Sequence, residues 1–164
     1  MPLAVNIRLS RPDDWPQIWA ILEPVIRAGE TYALPQSMSE EQARSYWLQS
    51  GNEVFVAEAG GQLFGTYIMR ANQQGGGAHV ANCGYMTAPA ARGQGVARAM
   101  CQHSLSHAKA RGFHAMQFNF VVSTNTAALT LWRAMGFAEV GRLPQAFRHP
   151  TLGLVDALVM HRLL

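Results

Sequence analysis

The segment over residues 78–110 limits the fold more than any other. It holds a strand-like run, then Ala88-Pro-Ala-Ala-Arg92-Gly93-Gln94-Gly95, then a helical pattern with Val96, Ala97, Met100, Cys101, Leu105 and Ala108 on one face. Arg111-Gly112 stops that helix, and a strand pattern over 115–122 follows. Ser123-Thr124-Asn125 then caps a further helix with Ala128, Leu131, Trp132 and Met135 inward, ended by Gly136. Strands joined through a helix pair in parallel, because the crossover returns the chain in the same direction.

The N-terminal half reads differently. A short strand at 5–9 leads into a helix signalled by Ser10-Arg11-Pro12-Asp13-Asp14, whose stripe is Trp15, Ile18, Trp19, Leu22, Val25 and Ile26, with Gly29 as its stop. Ser39-x-x-Gln42 has the form of a capping box for a second helix through Leu48. Strands at 53–59 and 62–71 flank the turn Gly60-Gly61, and 72–77 is a polar, glycine-rich loop expected to be exposed and mobile. Strands at 138–143 and 154–162 close the chain, joined by a loop holding Pro144, His149 and Pro150. The expectation is one α/β (α+β) domain over 1–164, with about four helices flanking a mixed, mostly antiparallel sheet of six to seven strands, its fourth and fifth strands forming a central parallel pair.

Composition narrows the function classes. Of 164 residues, 49% are hydrophobic and 14% charged, which supports a core and excludes disorder. Thirteen Lys and Arg against ten Asp and Glu give +3, too mild for a nucleic-acid footprint. Cys83 and Cys101 show neither metal-ligand nor disulfide spacing, so no metal is expected and a cytoplasmic location fits. No signal peptide or apolar span of membrane length stands out, so no membrane partner is expected.

The stretch 92–98 falls where a strand ends and a helix begins. Unpaired amides and the helix dipole attract anions there, and glycines at 93 and 95 let backbone approach a phosphate closely. The ending of a Walker A loop is missing, and Arg98 stands where a dinucleotide fingerprint has its last glycine.

With Arg92, Gly95 and Ala97 after a strand ending Tyr85-Met86-Thr87, the chain resembles the GCN5-related N-acetyltransferases, whose pattern is R/Q-x-x-G-x-G/A. Asn125-x-x-Ala128-x-x-x-Trp132-x-x-x-Gly136-Phe137 is similar to that family's second cofactor-binding helix, and the likeness runs along nearly the whole chain. His79-Val-x-Asn82-x-Gly84-Tyr85, Phe118-Asn119-x-Val121-x-x-Thr124-Asn125 and Val155-Asp156-Ala157 resemble the branch of proline-analogue N-acetyltransferases, neighbours of amino-acid and phosphinothricin acetyltransferases.

The resemblance implies acetyl-CoA as cosubstrate, lying where the fourth and fifth strands splay. Tyr85, Met86 and Thr87 are implied to meet the pantetheine arm, Asn125 its far end, and Arg92, Gly93, Gln94, Gly95, Val96, Ala97 and Arg98 the pyrophosphate. It also implies that Asn119 binds the carboxylate of an amino-acid-like acceptor, with Asn82 beside it. Asn125 also reads as a plain helix cap, Arg98 as a solvated helix residue, and Asn119 as paired to a neighbouring loop.

An amine attacking a thioester passes through an oxyanion, for which the Met86 backbone N–H is the expected donor. Relatives use a tyrosine acid on the last helix; here Trp132 stands instead and has no acidic proton. Tyr85 or water is the substitute, and a thiolate of pKa near 8.5 leaves without full protonation. His79 and Glu30 are the candidate bases, with Glu30 and Tyr32 on the acceptor loop. Cys83 reads as a small buried hydrophobe, so direct transfer in a ternary complex is preferred over a covalent intermediate. The expected function is acetylation of a small amine, an amino acid or its analogue. The alternatives are a protein or peptide acceptor, or a non-catalytic acyl-CoA-binding module. A homodimer is expected by analogy with neighbouring families.

Overall fold

The computed structural model describes residues 1–164. Its elements run β1 (Asn6–Leu9), α1 (Trp15–Ala28), α2 (Glu40–Trp47), β2 (Glu53–Ala59), β3 (Gln62–Ala71), β4 (Val80–Thr87), α3 (Val96–Ala110), β5 (Ala115–Val122), α4 (Thr126–Ala134), β6 (Ala138–His149) and β7 (Gly153–Leu163). The seven strands form one sheet in the order β1-β2-β3-β4-β5-β7-β6, antiparallel everywhere except between β4 and β5. This is the mixed sheet that the crossover argument requires, with helices on both faces.

Alternation along the strands divides the core. Ile68 and Met86 turn to the α1/α2 face and pack with Ile18, Leu22 and Trp47. Tyr67, Met69, Cys83 and Phe118 turn to the α3/α4 face and pack with Met100, Cys101 and Trp132. Ser39 and Gln42 close the capping box of α2 with reciprocal bonds of 3.1 and 2.9 Å. Gly29 ends α1 in the left-handed conformation, φ 64°.

Two boundaries differ from expectation. A short 3-10 turn, Pro12–Asp14, precedes α1, which therefore starts at Trp15. More consequentially, β6 does not stop at Leu143 for a loop. It continues to His149 through an irregularity between Leu143 and Phe147. Pro144, which cannot donate to a ladder, and Gln145, at φ 50°, occupy that bulge on the sheet edge. Asp156 of β7 holds it: one carboxylate oxygen accepts the Gln145 N–H at 2.9 Å and the other accepts Arg142 at 2.9 Å. No helix is long and apolar enough to cross a membrane.

Candidate active site

The parallel pair is short. Its backbone register covers only Val80 with Ala115 and Ala81 with Met116. At the next residue the Asn82 side chain donates to the Gln117 carbonyl at 2.9 Å, standing in for the ladder at the apex of a gap. Beyond it the strands diverge, and a cavity of about 860 Å³ opens between them and across the ends of α1, α3 and α4. That lies within the roughly 300–1,000 Å³ of small-molecule and cofactor sites.

The β3–β4 ladder decides which backbone groups of β4 face the gap. Ala88 N–H bonds the Phe64 carbonyl and Asn72 N–H bonds the Val80 carbonyl. With Thr66 opposite Met86 in the same unbroken register, alternation turns the Met86 N–H toward β3. This corrects the expected oxyanion donor. The backbone groups of Cys83, Tyr85 and Thr87 are the ones aimed at the gap, and the Tyr32 hydroxyl donates to the Tyr85 carbonyl there at 2.9 Å. Gly84 makes room for this bond, since a Cβ at that position would stand 3.0 Å from the Tyr32 oxygen.

At the wide end lies the turn before α3. Gly93 and Gly95 have φ of 74° and 83°, in the region that glycine adopts without strain. Gly95 is the N-cap of α3, and no side chain caps the helix, so its first-turn amides are free to bind an anion. A Cβ at Gly93 would meet nothing within 4 Å, which leaves backbone there open to a ligand. Gln94 departs from expectation: its side chain donates to the Ala90 carbonyl at 2.8 Å, its carbonyl accepts Leu3 N–H at 2.8 Å, and it does not line the cavity. Its part is to brace the turn. Arg92, Val96, Ala97 and Arg98 do line the cavity, as does Asn125, whose Oδ1 caps α4 through the Ala128 N–H at 3.3 Å. The residues present therefore fit a diphosphate on the turn and an extended amide-bearing arm in the gap.

The remaining predicted residues divide. Glu30, Tyr32, Asn82 and Asn119 share the cavity wall. His79 does not: it precedes β4, is exposed and lies tilted against His114, with ring centroids 6.2 Å apart, beyond the closed end of the gap. As a base for chemistry in this cavity it is out of place. The Tyr85 ring lies on the α3 face of the sheet, with its hydroxyl 2.6 Å from Ser104 Oγ, which itself donates to the Cys101 carbonyl. With that hydroxyl bonded to Ser104 and burial holding the phenol well above its ordinary range, Tyr85 is poorly placed to serve as the acid. Burial likewise raises the Cys83 thiol above ordinary thiols. Trp132 packs on Tyr85 with centroids 5.0 Å apart and offers no titratable proton.

Asn119 was expected in a buried run. A bulge between Phe118 and Val121 leaves it exposed, with its amide donating to Asn72 Oδ1 at 2.6 Å and its own Oδ1 accepting from Gln117 at 3.0 Å. Arg70 was not foreseen. It sits on β3 directly opposite Asn82, half-buried in the cavity wall, and no protein group pairs with its guanidinium.

The Acetyltransferase (GNAT) family profile matches residues 15–137, and the chain belongs to that family. It is similar to N-acetyltransferase aca1 of Schizosaccharomyces pombe, 31% identical over 100 residues, which are 59% of this chain and 47% of that protein; the chain thus spans about half the length of that relative. Phosphinothricin N-acetyltransferase of Alcaligenes faecalis is 31% identical over 144 residues, 85% of this chain and 73% of that protein. Among solved structures, a GCN5-related N-acetyltransferase from Kribbella flavida superposes with a TM-score of 0.93 at 46% identity, covering 98% of each chain. A phosphinothricin acetyltransferase from Sinorhizobium meliloti, solved with AcCoA, shares the fold at TM-score 0.85 and 21% identity, over 99% of this chain and 89% of that one.

Proposed function

We propose that this chain transfers an acetyl group from acetyl-CoA to the amine of a small molecule that also carries an acid group, an amino acid or an analogue of one. The observation that carries the acceptor class is Arg70. A guanidinium left without a partner in a cavity wall is poorly compensated for its lost water unless a ligand anion completes it. Asn82 lies directly opposite it, and Asn119 borders the same cavity as a further neutral polar side chain.

Acetyl-CoA supplies the activated thioester. The free amides of Val96, Ala97 and Arg98 hold its diphosphate, and the gap-facing backbone of Cys83, Tyr85 and Thr87 holds its arm and offers N–H donors to the acyl oxygen. Direct attack is the reading the side chains support, with Cys83 buried and the Tyr85 hydroxyl bonded to Ser104. Glu30 at the acceptor end takes the amine proton through water, a modest task for an α-amine whose pKa of about 8 leaves it partly neutral at physiological pH. The Tyr32 hydroxyl, held on the Tyr85 carbonyl, keeps its proton and serves as a fixed wall group.

The two cysteines are free and buried, in keeping with a reducing cytoplasm. The outer β6–β7 hairpin, with Val140, Leu143, Leu152 and Leu154 exposed, is where a homodimer contact is expected.

The test is amine-dependent thiol release from acetyl-CoA across free amino acids, their carboxamides, polyamines and short peptides. Turnover confined to acid-bearing amines, lost on carboxamide formation, is the expected pattern. Equal turnover of peptides or polyamines would move the acceptor class, and tight CoA binding without turnover would favour a binding module.

A further inference from the structure

The β6–β7 turn carries a histidine whose ring is oriented by its own backbone. His149 Nδ1 lies 3.2 Å from the Thr151 N–H, 3.2 Å from the Leu152 N–H and 3.3 Å from Thr151 Oγ1. Backbone N–H groups only donate, so Nδ1 is a lone-pair acceptor, and the neutral ring carries its proton on Nε2. Alternation along β6 puts His149 on the same side as Phe147, whose ring packs 6.2 Å from Phe120 of β5. Phe120 and His149 both line the cavity.

The Nε2 atom has no protein partner, yet it is not sealed in. The one enclosed side-chain polar atom without a partner is Asn52 Oδ1, at the C-terminal end of α2. His149 is 9% exposed, and the cavity is the open space it borders. We infer that His149 is a specificity residue for the acceptor: it presents a fixed Nε2–H donor that binds an oxygen of the acceptor substrate, and its locked tautomer bars it from acting as a base. The inference rests on the acetyl-transfer reading above and adds a second donor to the cavity, from the β5–β7–β6 side of the gap, where Arg70 stands on the β3–β4 side. Its chemistry selects acceptors with a carboxylate, phosphinate or carbonyl oxygen and gives nothing to a polyamine.

A histidine that merely caps its turn must be told apart from one that also binds. His149→Asn does this, since an Asn Oδ1 reaches the position of Nδ1 and keeps the turn bonds, while the Nε2–H is lost. His149→Gln is the complement, carrying an amide N–H toward the Nε2 position without the turn acceptor.

The experiment measures the nitrogen shifts of the His149 imidazole in the free chain, and initial rates with acetyl-CoA and L-phosphinothricin or the best amino acid of the panel. The expected results are an Nε2–H tautomer, an unchanged melting temperature for His149→Asn, a rise of roughly tenfold in acceptor KM, as one lost hydrogen bond gives, and an unchanged acetyl-CoA KM. Partial recovery of acceptor KM in His149→Gln is expected too. An Nδ1–H tautomer, or an acceptor KM unmoved by His149→Asn, overturns the inference while acetyl transfer stands. Absence of turnover with every amine in the unaltered chain overturns acetyl transfer, and the role of His149 falls with it.

Discussion

Gly65 is the point at which the fold and the anion-binding turn depend on one missing methyl group. It lies on β3 under the start of α3, and a Cβ there would stand 2.8 Å from Met100 Cε, 2.9 Å from Met100 Sδ and 2.9 Å from Val96 Cγ1. Ordinary carbon contacts begin at about 3.5 Å, so Gly65→Ala must push the first turn of α3 outward by roughly 0.6 Å or expel the Met100 end. Met100 is fully buried and Val96 is stiff at χ1, so neither yields freely. Overpacking of this kind costs about 1–3 kcal/mol, and the entropy lost from the unfolded chain returns about 0.4–1 kcal/mol. The net is a loss of roughly 1–2 kcal/mol. At about 2–4 °C per kcal/mol for a chain this size, the melting temperature should fall by roughly 2–8 °C. Because Val96 opens the helix whose free amides hold the diphosphate, CoA affinity should weaken several-fold in the same variant. Gly141→Ala is the control, since its Cβ would meet Val159 at an ordinary 3.7 Å. Thermal melts and calorimetric titration of CoA on both variants check this. A Gly65→Ala protein with unchanged melting and CoA affinity would refute the argument that this glycine sets the seat of α3.

Other outcomes follow from the same geometry. Gly95→Glu places a carboxylate and a strained left-handed residue, at about 1–2 kcal/mol, in the phosphate turn, so CoA binding should vanish from titrations while circular dichroism stays native. Tyr32→Phe removes the bond to the Tyr85 carbonyl at the edge of the gap; acetyl-CoA and acceptor KM should both move, with the thermal midpoint falling by less than for Gly65→Ala. Asp14 accepts bonds from the Arg8 guanidinium, against the opposing effect of burial, and from the Arg11 N–H, and its pKa lies below the ordinary carboxylate range. A lowered native pKa contributes stability that is present above the unfolded value, near 3.9, and is lost as pH falls through the native one. Denaturant melts should therefore show a steeper acid-side loss for the unaltered chain than for Asp14→Asn, and parallel curves would contradict this.

Much of the architecture was legible because the chain punctuates it plainly. Gly29, Gly60-Gly61 and Gly136 end or turn their elements where the hydrophobic period changes, and the box at Ser39 and Gln42 forms as read. The outer hairpin was not legible, because Pro144 marks a break in most strands and only an edge bulge held by Asp156 converts it into a bend. The turn before α3 could be read because glycine and helix start coincide there. The Met86 donor could not: alternation assigns side chains to faces, but which amides point into a gap depends on ladder phase, known only once β3 is paired. Arg70 carried no signal, since an arginine in a strand looks alike whether or not the fold brings it a carboxylate. Asn119 was singled out for want of a partner, and the partner came from Asn72, 47 residues away in sequence.

The most direct test of acetyl transfer follows both products in one reaction. The unaltered chain is mixed with acetyl-CoA and an acid-bearing amine, thiol release is read against time, and the amine is weighed by mass spectrometry. The account predicts one acetyl group on the amine for each thiol freed, with the protein itself unmodified and the rate sharply reduced in Arg70→Gln. Thiol release without acetylated amine, an acetylated protein intermediate, or an Arg70→Gln variant as active as its parent would contradict it.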